Sequence, residues 1–350
     1  RDMQEAWAIH GVYPAFSWMP DGKSIIAWAK GKIRRINVED GSATVIPFQV
    51  QDTRKVSKSV RFPIEVAPDR FDVRMLRWVR TSPDERWVAF QALGHVYLKE
   101  LPDGEPRRLT NRQNEFEFCP SWSRDSKWIV YTTWNDQKLG SIRVASPTDP
   151  LLNRAVTVRP GHYVNPVISP DGKTVVYEKR SGGRLTSPLY SHEPGIYRIG
   201  FGGGQPARIT KSGSRPQFGR EPDRVFLQRL QSETDADNRK LFSVNMDGKD
   251  ERVHYSSQWA TDYRISPDGR NIAFVERFNV YLAPFVTTGQ AIDISPNFQG
   301  LPVRKLSIQA GDWLHFSGDG LKLHWSLGPE LFTSRVFVDL PKKGEKPVEP

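Results

Sequence analysis

The chain has 350 residues, a single cysteine (Cys119) and a formal net charge of +10. One cysteine excludes any disulfide within the chain, and no run of about 18 apolar residues is present to cross a bilayer as a helix. Pro and Gly at 27 residues each, without a sustained 3.6-residue period, argue against a helical solenoid.

In chain order, the predicted elements are set out by a recurring Pro-Asp-Gly. It is intact at Pro20-Asp21-Gly22, Pro170-Asp171-Gly172 and Pro267-Asp268-Gly269. It is degraded at Pro83-Asp84-Glu85, Arg124-Asp125-Ser126, Pro222-Asp223-Arg224 and Gly318-Asp319-Gly320. Pro presets φ, Asp caps its own backbone and Gly takes φ > 0, so each copy predicts a tight turn. The anchor aspartates are 41 to 63 residues apart, the length of a propeller blade.

Short β-branched and aromatic runs flank each turn. Phe16-Ser17-Trp18 and Ser24-Ile25-Ile26-Ala27-Trp28 flank the first; Pro166-Val167-Ile168 and Thr174-Val175-Val176-Tyr177 flank the fourth. Third strands are predicted at Lys32–Ile36, His95–Leu98, Gly195–Ile199, Leu241–Val244 and Asn279–Leu282, and fourth strands end at Thr110 and Thr210. The prediction is an all-β fold, a β-propeller of four-stranded antiparallel blades. Seven anchors favour seven blades, with six as the alternative. Residues 1–340 form one propeller domain, in which Glu5-Ala6-Trp7-Ala8-Ile9 closes the last blade and hides its edge. Residues 341–350 read as a linker or tail. The 11 Trp, 18 Phe and 10 Tyr suffice to fill the spaces between sheets.

The chain offers little conventional chemistry. Its seven histidines form no His-x-His and no His-Glu-x-x-His, so no metal and no cofactor is predicted for this chain. There is no Gly-x-Ser-x-Gly elbow, and no catalytic residue is assigned. Gly200-Phe201-Gly202-Gly203-Gly204 falls between two strands of one blade and reads as a glycine turn. Ser232–Asn238 has oxygen-rich composition but lacks the Gly and terminal Glu of a calcium loop. Cys119, on an inner strand, reads as a small buried hydrophobe. Basic residues are scattered, with one cluster at Arg54–Lys58 and no interleaved stacking platform, so nucleic acid is not an expected partner. The Gln49–Asp72 insertion and the loop Ser181–Pro188 are candidate binding loops.

The candidate site is one mouth of the central channel. His162 and Tyr163 begin an inner strand there, and Glu117, Asn165, Arg215, Asp262 and Asp312 hold comparable positions in other blades. Polar groups converging in this way can grip a peptide, a protein segment or a small molecule. A propeller enzyme would instead carry paired carboxylates in that mouth.

The Pro-Asp-Gly repeat resembles that of TolB-like proteins over nearly the whole chain. Other stretches are similar to large bacterial amidohydrolase-family proteins: Arg1–Pro14, Gly31–Ile36, Val66–Asp72, Leu185–Tyr190, Ala260–Asp262 and His324–Leu331. That resemblance implies TolB-like blades ahead of a metal-dependent hydrolase barrel, with this chain a middle portion and the barrel after Pro350. It also implies a bacterial periplasmic or secreted setting. The family's metal ligands match no position here. The expected role is a non-catalytic module that binds or gates substrate or partner for a linked hydrolase; the alternative is a free-standing scaffold like TolB.

Overall fold

The structure is a computed structural model that describes residues 16–58, 60–181, 192–232 and 235–336. The expected closing strand Glu5–Ile9 and the 341–350 tail lie outside the described residues, and the Ser181–Pro188 loop and Ser232–Asn238 tip lie partly outside them. The chain divides into two compact units, Arg1–Asp69 and Arg70–Pro350.

The first unit holds one antiparallel sheet: β1 (Phe16–Trp18), β2 (Ser24–Ala29), β3 (Lys32–Asn37) and β4 (Ala43–Val45). The turn at Asp21 joins its first two strands, and the Asp21 carboxylate accepts from Lys23 N at 3.0 Å. Among the described residues between Val45 and Arg77 there is no strand, and Val56, Phe62 and Val66 there are exposed.

The second unit contains six sheets. Blade I comprises β5 (Arg77–Thr81), β6 (Trp87–Ala92), β7 (His95–Glu100) and β8 (Arg107–Arg108). Blade II comprises β9 (Phe116–Trp122), β10 (Ile129–Trp134), β11 (Ser141–Ala145) and β12 (Asn153–Ala155). Blade III comprises β13 (His162–Ile168), β14 (Thr174–Arg180), β15 (Gly195–Gly200) and β16 (Gly203–Thr210). Blade IV comprises β17 (Ser214–Phe218), β18 (Arg224–Ser232), β19 (Asp235–Asn245) and β20 (Arg252–Ser257). Blade V holds β21 (Ala260–Ile265), β22 (Asn271–Glu276) and β23 (Asn279–Pro284). From the segment after β23, β24 (Ile292–Asp293) joins β20 of blade IV in parallel, and β25 (Arg304–Lys305) completes blade V. Blade VI has three strands: β26 (Asp312–Phe316), β27 (Lys322–Leu327) and β28 (Glu330–Arg335).

Among the described residues seven sheets are thus present, each with its anchor aspartate in the turn between its first two strands. Six of them close on one another. Their first strands β5, β9, β13, β17, β21 and β26 neighbour each other in that order, and β26 returns to β5. Apolar clusters fill the spaces between consecutive blades. Val130 and Val144 meet Tyr163 and Tyr177 between blades II and III, and Val79 and Phe90 meet Trp313 and Leu331 between I and VI. Each fully buried side chain of this size contributes about 1.5–3 kcal/mol. Ring closure is also hydrogen-bonded, because Gly318 N donates to Pro83 O at 3.0 Å.

The turns carry more chemistry than an aspartate capping its own backbone. In five blades a serine two residues before the anchor donates its hydroxyl to the aspartate at 2.5–2.6 Å: Ser82, Ser123, Ser169, Ser266 and Ser317. The same oxygen accepts the backbone N–H that starts the next strand, as from Thr174 to Ser169 at 3.0 Å. Ser169 is buried, so Ser169→Ala strands that N–H; a loss of about 1–3 kcal/mol in urea unfolding is expected. As expected from sequence, Gly200–Gly204 is the turn between β15 and β16, with Gly200 paired to Gly203.

Candidate functional site

The six inner strands share an irregularity. In each, the register with the second strand shifts once, between Arg77 and Arg80 in β5 and between Asp312 and His315 in β26. Five residues at the shifts take a left-handed φ: Trp78, Cys119, Asn165, Arg215 and Trp313. Such bulges re-aim the side chains that follow them and bend the strand. They ring a central cavity of about 210 Å³.

The cavity lining carries four arginines, Arg80, Arg124, Arg215 and Arg264, and no carboxylate. Behind the lining, Asp262 pairs with Arg215 at 3.1 Å and Arg264 at 3.2 Å and accepts from the Gln228 amide at 2.8 Å. Burial alone would raise its carboxyl; those guanidinium groups and the amide outweigh burial and hold it below the usual carboxylate range. Arg80 has no carboxylate within ion-pair distance among the described residues. Its Nη1 donates to Trp313 O at 2.7 Å, Val79 O at 3.1 Å and Leu314 O at 3.3 Å. Burial, with Arg264 and Arg215 nearby, pushes its pKa down to about 9.

At the turn end of the channel, Arg124 of blade II reaches across the ring. Its guanidinium donates to Gly219 O of the blade IV–V side at 2.8 Å and to Pro267 O of blade V at 3.2 Å. At the other end stand aromatic rings. Trp78 lies 5.4 Å from Trp313 and 6.1 Å, edge-on, from Phe118, which meets the exposed Phe116.

The seven residues singled out from sequence are distributed unevenly. Asn165 and Arg215 line the cavity, and Asp262 stands behind it on Arg215 and Arg264. Asn165 Nδ2 donates to Glu178 at 3.1 Å, and Arg215 Nη1 to Thr261 O at 2.8 Å. Glu117 is fully buried between blades I and II, where it accepts from Val96 N at 2.9 Å and from the Thr110 hydroxyl. Burial raises its pKa against those two bonds. Tyr163 is buried in the blade II–III core, its hydroxyl donating to Arg159 O at 2.9 Å. His162 packs edge-on against Trp134 at 5.8 Å. Asp312 is exposed, its carboxyl raised by partial burial and by Asp262. Cys119 is buried, and burial pushes its thiol up to about 11, the state of a packed hydrophobe.

Sequence reasoning missed Arg80 and Arg264, and read His315 as a packed or hydrogen-bonded strand residue, as the structure has it. For the two arginines a signal was available: each stands four residues before its anchor, Asp84 or Asp268. His315 serves the ring itself. Its Nε2 accepts Thr81 N–H at 2.8 Å while Nδ1 lies 2.8 Å from Trp313 O, which fixes the neutral tautomer. Among the described residues no cluster of three His, Cys, Asp or Glu has the arrangement to hold a metal ion.

No protein-family model and no curated protein matches the chain. Solved structures do. TolB from Acinetobacter baumannii is 14% identical and superposes with a TM-score of 0.52, over 96% of this chain and 80% of that one. The fold is that of a TolB-like β-propeller. A putative TolB from Agrobacterium tumefaciens is 20% identical over 69% of this chain and 80% of that one, at a TM-score of 0.41. An oligogalacturonate lyase from Vibrio parahaemolyticus is 10% identical over 88% and 84%, at 0.49. At these identities the TolB-like likeness speaks for the fold, and the site rests on this chain's own residues.

Proposed function

We propose that this chain is a non-catalytic binding module, which holds a substrate or partner at the aromatic mouth of the propeller channel for a linked metal-dependent amidohydrolase-type domain. One observation carries the binding half: six inner strands, each bulged at the same level, converge on one cavity walled by arginines and rimmed by tryptophans. The hydrolase half, and with it a periplasmic or secreted setting, rests on the sequence stretches that resemble amidohydrolase-family proteins.

Reading the coding frame beyond Pro350 tests the linkage; a His-x-His-bearing barrel is the expected result. In the protein holding both parts, Trp78→Ala with Phe116→Ala is expected to raise KM about fivefold or more and leave kcat unchanged. An equal fall in kcat would place the mouth in the chemistry and overturn the reading. A stop codon soon after Pro350 would favour the second reading, a free-standing interaction scaffold, behind which stands the fold match along nearly the whole chain.

A further inference from the structure

We propose that the channel is a receptor for an organic carboxylate, gripped by Arg80, Arg215 and Arg264; this deepens the binding-module reading and rests on it. The charge distribution carries the inference. Three guanidinium groups from blades I, IV and V face the same space, and one carboxylate, Asp262, serves two of them. Arg80 is left with backbone carbonyls alone. All its hydrogen bonds leave from Nη1, so the rest of its donor fork is unused among the described residues. Asp262, the acid whose charge reaches Arg80, is already ion-paired with Arg215 and Arg264, so one carboxylate is shared among three guanidinium groups and an incoming anion relieves the remaining cost of burying them. A carboxylate has the planar two-oxygen geometry that matches the fork.

The rest of the cavity selects an organic body over a bare inorganic anion. The arginine side is faced by Cys119, Pro120, Pro166 and Val167, which are uncharged and offer contact area instead of charge. Trp78 and Trp313, 5.4 Å apart, add flat apolar surface on the blade I–VI side. The ligand's charge is thus met by Arg80, Arg215 and Arg264, and its carbon skeleton by these apolar side chains.

Calorimetric titration of the intact chain tests this with four probes. They are an N-acetylated tripeptide with a free C-terminal carboxylate, the same peptide as its amide, a uronic-acid disaccharide and sodium sulfate. At least one organic acid is expected to bind, the amide about tenfold weaker than its acid or worse, a difference near 1.4 kcal/mol. The tighter of peptide and uronate names the source of the carboxylate. Arg80→Gln and Arg264→Gln are each expected to weaken the acid about tenfold, with the far-ultraviolet spectrum unchanged. Equal binding of acid and amide, binding of neither acid, or sulfate binding as tightly as the acids overturns the proposal. Should a variant fail to fold, the acid–amide comparison on the unaltered chain decides alone. Equal binding of acid and amide, with the KM effect of the Trp78 and Phe116 changes intact, discards the carboxylate and keeps the module.

Discussion

Phenylalanine in place of His315 is expected to lower the unfolding free energy by about 2–4 kcal/mol, read from the denaturant midpoint at pH 7.5. The imidazole joins the last blade to the first. Its Nε2 takes the Thr81 N–H at 2.8 Å and lies 2.9 Å from the Thr81 hydroxyl, and all of these groups are buried. Phenylalanine fills the space and leaves both donors unsatisfied at the seam that closes the ring. The same site makes folding acid-sensitive. Burial, and after it Arg80 and His324, hold His315 well below 6.5, so the folded protein refuses a proton that the unfolded chain accepts. The stabilisation is therefore fully present above about pH 6.5 and is lost below it by up to about 1.4 kcal/mol per pH unit. Burial lowers His324 and, to about 4, His254, and they add with the same sign. In the phenylalanine variant the slope between pH 6.5 and 5 is expected to fall by one proton's worth. An unchanged slope would remove His315 from the account.

Asp262→Ala is the other large effect, an expected loss of about 3–5 kcal/mol in the same measurement. The carboxylate is the one acid described in ion pairs with the Arg215 and Arg264 guanidinium groups, and it also takes the Gln228 amide. Without it three guanidinium groups repel one another across a small cavity, and the buried Gln228 keeps only its bond to Tyr263 O. A loss under about 1 kcal/mol would mean that solvent already screens the cluster.

How much of this was legible follows from how local each cause is. The hairpin turns were read correctly because Pro, Asp and Gly act on their own backbone, and every anchor sits in the turn between the first two strands of its sheet. The third strand of blade II, Ser141–Ala145, has no such flag beside it and went unread. Closure was not legible because Thr81 and His315 are 234 residues apart, and no local pattern announces that pairing. Within the inner strands the cause is the bulge. A single extra residue inverts the alternation of facing, so residues ahead of it, such as Glu117 and Tyr163, turn to the blade cores. Arg80 and Arg264, behind it, meet the cavity. Counting from the turn without the bulge cannot separate the two sets.

The Arg124 guanidinium, bonded to carbonyls on the far side of the ring, has a consequence for traffic. With one end of the bore crossed by this side chain, the proposed binding channel would work as a blind socket rather than a tunnel. A blind socket cannot be threaded. On the proposed reading, it would accept only the free end of a chain and release that end by the path it entered, so that a long polymer would be recognised by its terminus and not by its interior.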